Sequence, residues 1–273
     1  MTEPFLLHEE EFFYLESWMN KFPGLVAGFT TKNGGVSKAP YASLNIGFHV
    51  GDNKEDVVAN RSLLAEKLSF PLTDWVCAEQ THETKIVKVL PSDCGKGAKD
   101  YLSSLKATDG LFTTEKQILL TLCYADCVPL YFIAPKHSMV GVAHAGWKGT
   151  VAGIATSMIE SWNQAGILSS DIHVTIGPSI CGDCYVVDDK VVKFVQKLLE
   201  DYDEKPYNLI SEGQYNLNLK QVNAEILVKA GVPREQIDIS TLCTSCENEK
   251  FFSHRRDQGK SGRLMSFIGW KEE

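Results

Sequence analysis

Residues 118–144, ILLTLCYADCVPLYFIAPKHSMVGVAH, contain three short apolar runs at 118–123, 128–134 and 139–143. Runs of this length that are rich in β-branched residues are typical of buried strands. The first two runs are separated only by Tyr124-Ala125-Asp126-Cys127, a small polar interruption. The segment therefore predicts closely spaced strands with polar and thiol side chains where one strand gives way to the next.

Two more strands and four helices are predicted outside this segment. The further strands are expected at 85–90 and 172–176, which are also short apolar runs. Apolar residues at helical spacing, together with capping residues, predict helices over 54–68, 150–165, a segment beginning at Asp188 or Asp189, and 217–230. Because strands and helices do not alternate regularly, the pattern favours an α+β or layered α/β architecture. We expect a single domain over residues 1–273.

Composition limits the class of protein. The 273 residues include 35 acidic and 27 basic side chains, for a net charge of −8. This balance argues against nucleic-acid binding, which depends on lysine and arginine to neutralise phosphates. The sequence has neither a secretory signal nor an apolar run of about 18 residues, so we expect a cytoplasmic protein without a membrane partner. In a reducing compartment, the eight cysteines indicate metal-binding, catalytic or buried thiols.

Three residues form a candidate metal site. His82 precedes a predicted strand, Cys127 follows the polar interruption, and His144 ends a strand just before a helix. Thiolate and imidazole ligands suit zinc or copper, and three protein ligands leave a fourth position for water or substrate. Taken singly, such residues are more often packed side chains than ligands. Cys127 and His144 are also compatible with a metal-free pair for covalent catalysis.

Arg61 lies within the apolar stripe of the helix predicted over 54–68, since Val57 precedes it by four residues and Leu64 follows it by three. A guanidinium on a buried face needs an anionic or hydrogen-bonding partner. One interpretation is a buried salt bridge or a side chain whose charged end reaches the solvent. The other is that Arg61 opens into the site and binds a phosphate or a ribose.

Four cysteines are arranged as two pairs, Cys181-x2-Cys184 and Cys243-x2-Cys246. Two such pairs are a familiar zinc-binding pattern. The segment between them is longer than a compact zinc ribbon uses, and two helices are predicted within it. Unrelated buried thiols are therefore the favoured interpretation, and a second zinc site is the alternative.

Basic residues are concentrated near the C-terminus at Arg255, Arg256, Lys260 and Arg263. They are candidates for a patch on the substrate side of a site. A solvated basic face is the more usual explanation for such a run.

The sequence resembles the YlmD/YfiH-type family, also called the laccase-domain or multicopper polyphenol oxidoreductase family. The resemblance covers residues 24–268, nearly the whole chain. The matching segments, in the order of the family, are SLNIGFHVGDN, QTHETKIV, ATDGLFT, LCYADCVPLYF, VGVAHAGWKGT, IGPSICGDCYVV and FFSHRRDQGKSGR. The resemblance implies a layered α/β/β/α sandwich of mixed sheets flanked by helices.

The resemblance also implies a function. His82, Cys127 and His144 match the family's metal ligands, with zinc expected and copper as the alternative. Members are described as purine nucleoside phosphorylases that convert adenosine, inosine and methylthioadenosine to free base and ribose 1-phosphate, with adenosine deaminase activity on the same scaffold. The implied partners are purine nucleosides and phosphate, and we expect a monomer or weak homodimer.

Other residues receive predicted roles beside these ligands. Asp109 is grouped with the ligands as catalytic, either handling a proton or orienting a histidine; Asp126 is a second candidate for those roles. Asn45, Arg61 and Gln80 are predicted to bind substrate.

Three other functions are alternatives to this one. Laccase chemistry is disfavoured because the seven histidines include no His-x-His pair, whereas several coppers need about ten histidines. A metal-free Cys–His amidohydrolase and a non-catalytic zinc protein remain alternatives.

Overall fold

The computed structural model describes residues 2–201 and 204–272. Within these ranges the helices are α1 Glu16–Lys21, α2 Lys54–Leu68, α3 Trp147–Ala152, α4 Ile154–Gln164, α5 Asp189–Leu198 and α6 Leu219–Lys229. The strands are β1 Phe5–Glu9, β2 Phe12–Leu15, β3 Leu25–Thr30, β4 Trp75–Cys77, β5 Ile86–Lys88, β6 Gly110–Thr113, β7 Leu119–Tyr124, β8 Val128–Ala134, β9 Met139–Ala145, β10 His173–Ile176, β11 Val186–Asp188, β12 Tyr207–Ser211, β13 Gln214–Leu217, β14 Ile237–Ile239 and β15 Leu264–Trp270.

These strands form two six-stranded sheets and one small sheet. The first sheet has the order β1-β2-β3-β15-β7-β4, and the second has the order β14-β10-β8-β9-β6-β5. The third sheet is β11-β13-β12. Both large sheets are mixed, because β4 runs parallel to β7 in the first, and β5 to β6 and β10 to β14 in the second.

The two large sheets pack face to face. Alternate side chains of a strand point to opposite faces, so Leu120 and Phe29 from the first sheet share one core with Tyr131 and Val142 from the second. The Tyr131 hydroxyl also donates a 2.6 Å hydrogen bond to the Gly28 carbonyl across this interface.

Helices cover both outer faces of the paired sheets. Leu64 and Leu68 of α2 pack on the first sheet with Phe267, which places α2 against its outer face. On the other side, α4 and α6 cover the outer face of the second sheet, and α5 packs against α3 and the small sheet in the same core. The implied α/β/β/α layering is therefore confirmed. None of the described helices has the length and apolar character needed to cross a membrane.

The helix predicted over 150–165 is divided in the structure. Gly153 has a φ of 92°, a left-handed conformation that ends α3 and opens α4. Glycine adopts this conformation at little cost, so the apolar stripe continues across a break that periodicity alone does not reveal. The other three helices form as predicted, with Asp188 capping α5 through a 3.1 Å bond from the Val191 N–H.

The predicted strands are all present, with small shifts at their ends. β9 continues to Ala145, so His144 lies inside a strand and not after it. The other ten described strands and α1 were not predicted. Among them is β15, which lies in the middle of the first sheet between β3 and β7. This strand completes the sheet that carries one side of the candidate site.

Candidate metal centre and active site

His82, Cys127 and His144 come together at the boundary between the two large sheets. Cys127 lies in the turn through which the chain leaves β7 of the first sheet and enters β8 of the second. His144 extends from the neighbouring strand β9, and His82 lies in the loop after β4. One ligand atom from each residue lies within 4.8 Å of the others. The two imidazole rings are 4.7 Å apart and nearly perpendicular.

Asp109 fixes the positions of two of these ligands. Its carboxylate accepts a 2.8 Å hydrogen bond from His144 Nδ1 and a 3.0 Å bond from the His82 backbone N–H. The backbone N–H groups of Thr81 and Glu83 also donate to it, each at 3.0 Å. With Nδ1 engaged in this way, Nε2 of His144 is the nitrogen directed toward a metal. The contacts favour orientation of histidine over proton handling as the role of Asp109.

Two site residues have left-handed backbone conformations. His82 has a φ of 64° and Asp126, beside Cys127, has a φ of 83°. Such conformations cost about 1–3 kcal/mol in non-glycine residues and persist only when the surroundings hold them. Asp109 holds His82, as described above. The Asp126 carboxylate accepts hydrogen bonds from the Thr244 hydroxyl at 2.7 Å and from the Arg255 N–H at 2.7 Å. These bonds direct the Asp126 carboxylate into the 244–255 segment.

Cys127 and His144 favour a thiolate beside an imidazolium in the absence of a metal. Burial alone would raise the Cys127 pKa, but the positive charge of His144 and hydrogen bonds from both histidines lower it to about 6. Burial would likewise lower the His144 pKa, but Cys127 and Asp109 raise it to about 9. The site thus stabilises the thiolate that metal binding requires.

The three ligands and the glycine backbone behind them fit a zinc ion. Two imidazoles and a thiolate are ligands that zinc accepts, and three of them leave one position open. A Cβ placed on Gly146 would lie 3.0 Å from His82 Cδ2 and 3.1 Å from Cys127 Sγ. The bare backbone of Gly146 therefore lies directly behind two of the ligands, and no side chain separates it from them.

A Gly146→Ala variant is expected to bind zinc about tenfold more weakly, the lower end of the loss typical of changes next to metal ligands. Gly146 has a φ of −66°, which alanine adopts freely, so the effect comes from crowding and not from backbone strain. Competition with a chromophoric zinc chelator measures the affinity. A fall in melting temperature with unchanged zinc affinity would contradict this explanation.

Two cavities meet at the three ligands, and both are lined by His82, Cys127 and His254. We call the first the aromatic cavity, because Trp147 and Tyr185 lie in its wall; Lys148 and Arg255 also line it, and its volume is about 340 Å³. We call the second the basic cavity. Its volume is about 350 Å³, and its other lining residues include His49, Gln80, Tyr101, His144 and Arg263.

Four residues that shape these cavities had no predicted role: Trp147, Tyr185, His49 and His254. Each lies in a segment that matches the family, and that resemblance is the signal that could have found them. Arg263 belongs to the C-terminal basic run, and the prediction of a plain solvated face is wrong for it, because Arg263 is half-buried and lines the basic cavity.

The rest of that basic run divides between two environments. Arg255 lines the aromatic cavity, with its guanidinium 5.0 Å from the Tyr185 ring. Arg256 turns inward and donates to the carbonyls of Thr244 and Phe251, each at 2.9 Å. Of this run, Arg255 and Arg263 line the two cavities.

Arg61 is 3% exposed, and its donors are engaged by backbone carbonyls. Nε and Nη2 bond to Ile46 at 2.9 and 2.8 Å, and Nη1 bonds to Gly97 at 2.6 Å. Its guanidinium also lies 4.3 Å from the Phe48 ring centroid. The interpretation as a salt bridge or a solvent-reaching side chain is wrong, because Arg61 is buried and backbone carbonyls accept its hydrogen bonds. Direct phosphate binding by Arg61 stays a prediction.

Asn45 and Gln80 contact backbone near the basic cavity. Asn45 is fully buried and accepts a 2.8 Å bond from the Arg263 N–H, which holds that residue in place. The Gln80 amide pairs with both backbone groups of Cys123, at 2.8 Å each. Both residues thus fix the cavity wall, and their predicted contact with substrate remains a prediction.

The four cysteines of the two Cys-x2-Cys pairs also converge, with their sulfurs within 4.8 Å of one another. The favoured interpretation of unrelated buried thiols is therefore wrong. Cys243 is buried, but Cys181 and Cys184 are half-buried and Cys246 is exposed.

Comparison with known proteins places the chain in a family. It is 51% identical over 271 residues to purine nucleoside phosphorylase YlmD of Geobacillus stearothermophilus, covering 99% of each chain. It is 53% identical over 249 residues to purine nucleoside phosphorylase YlmD of Bacillus subtilis, covering 91% of this chain and 89% of the other. The crystal structure of YlmD from Geobacillus stearothermophilus superposes with a TM-score of 0.96 at 49% identity, covering 99% of this chain and 100% of the other. The model of one family matches residues 26–271, and the chain belongs to that family, described as multi-copper polyphenol oxidoreductase laccase.

Proposed function

We propose that this chain is a zinc-dependent purine nucleoside phosphorylase. The observation that carries the proposal is the position of the His82–Cys127–His144 cluster, where an aromatic cavity meets a basic one. Such a site has separate room for a planar base and for an anion. The relatives named purine nucleoside phosphorylase, which match almost the entire chain, support the same reaction class.

Phosphorolysis joins a phosphate oxygen to C1′ of the ribose and breaks the bond from C1′ to N9 of the purine. The electron pair of the broken bond leaves with the base. The enzyme must therefore hold base and phosphate on opposite sides of one carbon atom. Holding two reactants in this way removes much of the entropic barrier to their reaction.

The purine is proposed to occupy the aromatic cavity. Trp147 and Tyr185 line it together with the apolar side chains of Ile180 and Leu219. Stacking of a base on an aromatic ring contributes about 1–3 kcal/mol and does not depend strongly on which base is bound. A cavity of this kind therefore suits both adenine and hypoxanthine.

The phosphate is proposed to occupy the basic cavity. Arg263 supplies a positive charge there, and Asn45 and Gly47 set its position: a Cβ on Gly47 would lie 2.6 Å from Arg263 Cγ. His49 has its pKa lowered to about 4, first by desolvation and then by the charges of Arg263 and Arg61. His49 is thus neutral at pH 7 and offers hydrogen bonds without adding charge. Arg61 is proposed to act through its positive potential from behind this wall.

His82, Cys127 and His144 would hold the zinc ion. When bound, zinc supplies Lewis acidity and positive charge between the two cavities. Asp109 keeps His144 in the tautomer that presents Nε2, and Gly146 leaves room for the ligands to close around the ion.

Adenosine, inosine and methylthioadenosine are the proposed nucleosides. The proposed second reaction is deamination of adenosine, in which water replaces the amino group at C6 and ammonia leaves. Both proposals rest on the family resemblance. Copper in place of zinc and a metal-free Cys–His amidohydrolase are the alternatives, and phenol oxidation is disfavoured. A cytoplasmic monomer or weak homodimer stays a prediction.

Incubation of the purified protein with adenosine or inosine, with and without phosphate, tests the proposal. Chromatography is expected to detect adenine or hypoxanthine only when phosphate is present, together with an equal amount of ribose 1-phosphate detected by phosphorus NMR. Inosine formed from adenosine without phosphate would support the deaminase reaction.

A Cys127→Ser variant purified in the same way controls for phosphorylases of the expression host. Free base formed equally by the variant and by the wild type would indicate contamination and would contradict the proposal. Absence of both free base and inosine from the wild-type reactions, with zinc bound, would overturn it.

A further inference from the structure

The two Cys-x2-Cys pairs form a second cluster, and none of its four cysteines lines either of the two cavities. Within it, Cys184 Sγ lies 3.4 Å from Cys246 Sγ, and Cys181 Sγ lies 3.9 Å from Cys246 Sγ. Four sulfurs bound at about 2.3 Å to one tetrahedral zinc ion lie about 3.8 Å from each other. A disulfide requires about 2.05 Å. The observed separations thus correspond to the edges of a zinc tetrahedron and not to disulfide bonds.

The sheet topology explains how cysteines so distant in sequence meet. β10 and β14 are parallel neighbours, so their carboxyl ends lie at the same edge of the second sheet. Cys181 and Cys184 follow β10, and Cys243 and Cys246 follow β14. The long segment between the pairs, which argued against a compact zinc ribbon, forms α5, α6 and the small sheet instead.

Backbone groups orient the sulfurs in the way expected of metal-binding thiolates. The N–H groups of Cys181 and Cys246 donate to Cys243 Sγ at 3.2 and 3.4 Å. The two loops are also joined by a bond of 3.2 Å from the Thr244 N–H to the Ser179 carbonyl. Hydrogen bonds that stabilise an ionised sulfur favour its use as a ligand.

A buried positive charge lies next to the loop that carries Cys243 and Cys246. Lys220 is 5% exposed, and its ammonium donates to the carbonyls of Ser240 and Leu242, at 2.8 Å each. Four thiolates around a divalent cation carry a net charge of about −2 by simple formal counting. A fixed ammonium beside the cluster offsets part of that charge.

We propose that Cys181, Cys184, Cys243 and Cys246 bind one structural zinc ion, distinct from the ion held by His82, Cys127 and His144. With four protein ligands the site is closed, so it has no position for substrate. It requires neither the phosphorolysis reaction nor zinc at the other cluster, and it can be tested independently of both.

The proposed zinc site would restrain the turn that contains Asp126 and Cys127. The loop that carries Cys181 and Cys184 contacts this turn through a 3.1 Å bond from the Ile180 N–H to the Asp126 carbonyl. The loop that carries Cys243 and Cys246 contacts it through the 2.7 Å bond from the Thr244 hydroxyl to the Asp126 carboxylate. Asp126 holds a left-handed conformation next to Cys127. A metal that joins these two loops therefore restrains the turn that contains Cys127.

Zinc content per chain tests this proposal. The wild type and a Cys94→Ser control, which removes a half-buried thiol outside both clusters, are expected to contain two equivalents. Cys127→Ser is expected to retain one equivalent. The double variant Cys184→Ser/Cys246→Ser, at the less buried positions of the four-cysteine cluster, is expected to lose one equivalent and to melt at a lower temperature.

Cobalt substitution gives a second readout that does not depend on the double variant folding. Cys127→Ser protein loaded with cobalt(II) is expected to show intense sulfur-to-metal charge-transfer bands and the visible bands of a tetrahedral tetrathiolate site. Absence of these bands from Cys127→Ser protein would overturn the proposal. So would less than half an equivalent of zinc in that variant, iron in its place, or loss of two titratable thiols in the denatured, unreduced wild type.

Discussion

Replacing Cys127 with serine is expected to lower phosphorolysis of adenosine by more than about 100-fold and to remove one equivalent of zinc per chain. Groups that merely orient metal ligands contribute about 10–100-fold to affinity or activity, so loss of a direct ligand should cost more. The hydroxyl of serine is not ionised at neutral pH, whereas the surroundings of Cys127 lower the pKa of its thiol to about 6. Steady-state kinetics together with metal analysis measure both effects.

A Cys94→Ser variant is the matched control, because it also exchanges one sulfur for oxygen but at a position outside both cysteine clusters. It should retain both zinc and activity. A Cys127→Ser protein with full zinc content and full activity would refute the assignment of Cys127 as a ligand.

Chelation separates the zinc enzyme from its metal-free alternative. A zinc enzyme loses activity to a chelator and regains it when zinc is restored. A Cys–His amidohydrolase would survive chelation and would be inactivated by alkylation of Cys127, because its thiolate would act as the nucleophile. Full activity after demonstrated removal of zinc would therefore contradict the proposed function.

The elements that were predicted from sequence are those with a strong local signal. The strands β7, β8 and β9 are apolar runs long enough to be recognised singly, and α2 begins at a capping Asn53 and carries a regular apolar stripe. The break at Gly153 was missed because the apolar spacing continues through it. β15 was missed although its sequence, LMSFIGW, is an apolar run of the same kind. Its position between β3 and β7 depends on partners far away in sequence, which a local pattern does not give.

The candidate site was predicted unevenly for the same reason. The family motifs indicated His82, Cys127 and His144, and the structure brings these three side chains together. Asp109 orients the ligands because three backbone N–H groups and one ring nitrogen donate to its carboxylate. The spacing of residues in the sequence does not predict such an arrangement. The four-cysteine cluster was not expected because the two Cys-x2-Cys pairs are far apart in the sequence. Parallel pairing of β10 and β14 removes that separation.

Changing Asp109 to asparagine is expected to weaken zinc binding by about 10–100-fold, the range found when a group that orients a metal ligand is lost. The Asp109 side chain is fully buried and accepts bonds from His144 Nδ1 and from the N–H groups of Thr81, His82 and Glu83. Asparagine replaces one acceptor oxygen with an NH₂ group that faces these donors, so at least one of them loses its partner. The measurements are zinc affinity by chelator competition and kcat/KM as a function of free zinc.

Dependence on zinc decides between the two roles predicted for Asp109. If Asp109 acts by positioning the ligands, excess zinc should restore most of the lost activity to Asp109→Asn protein. An Asp100→Asn control, at an exposed carboxylate that bonds to Ser103, should match the wild type throughout. Activity that stays low at saturating zinc, with unchanged zinc affinity, would instead identify Asp109 as a group that transfers a proton during the reaction, because the metal site would then be intact.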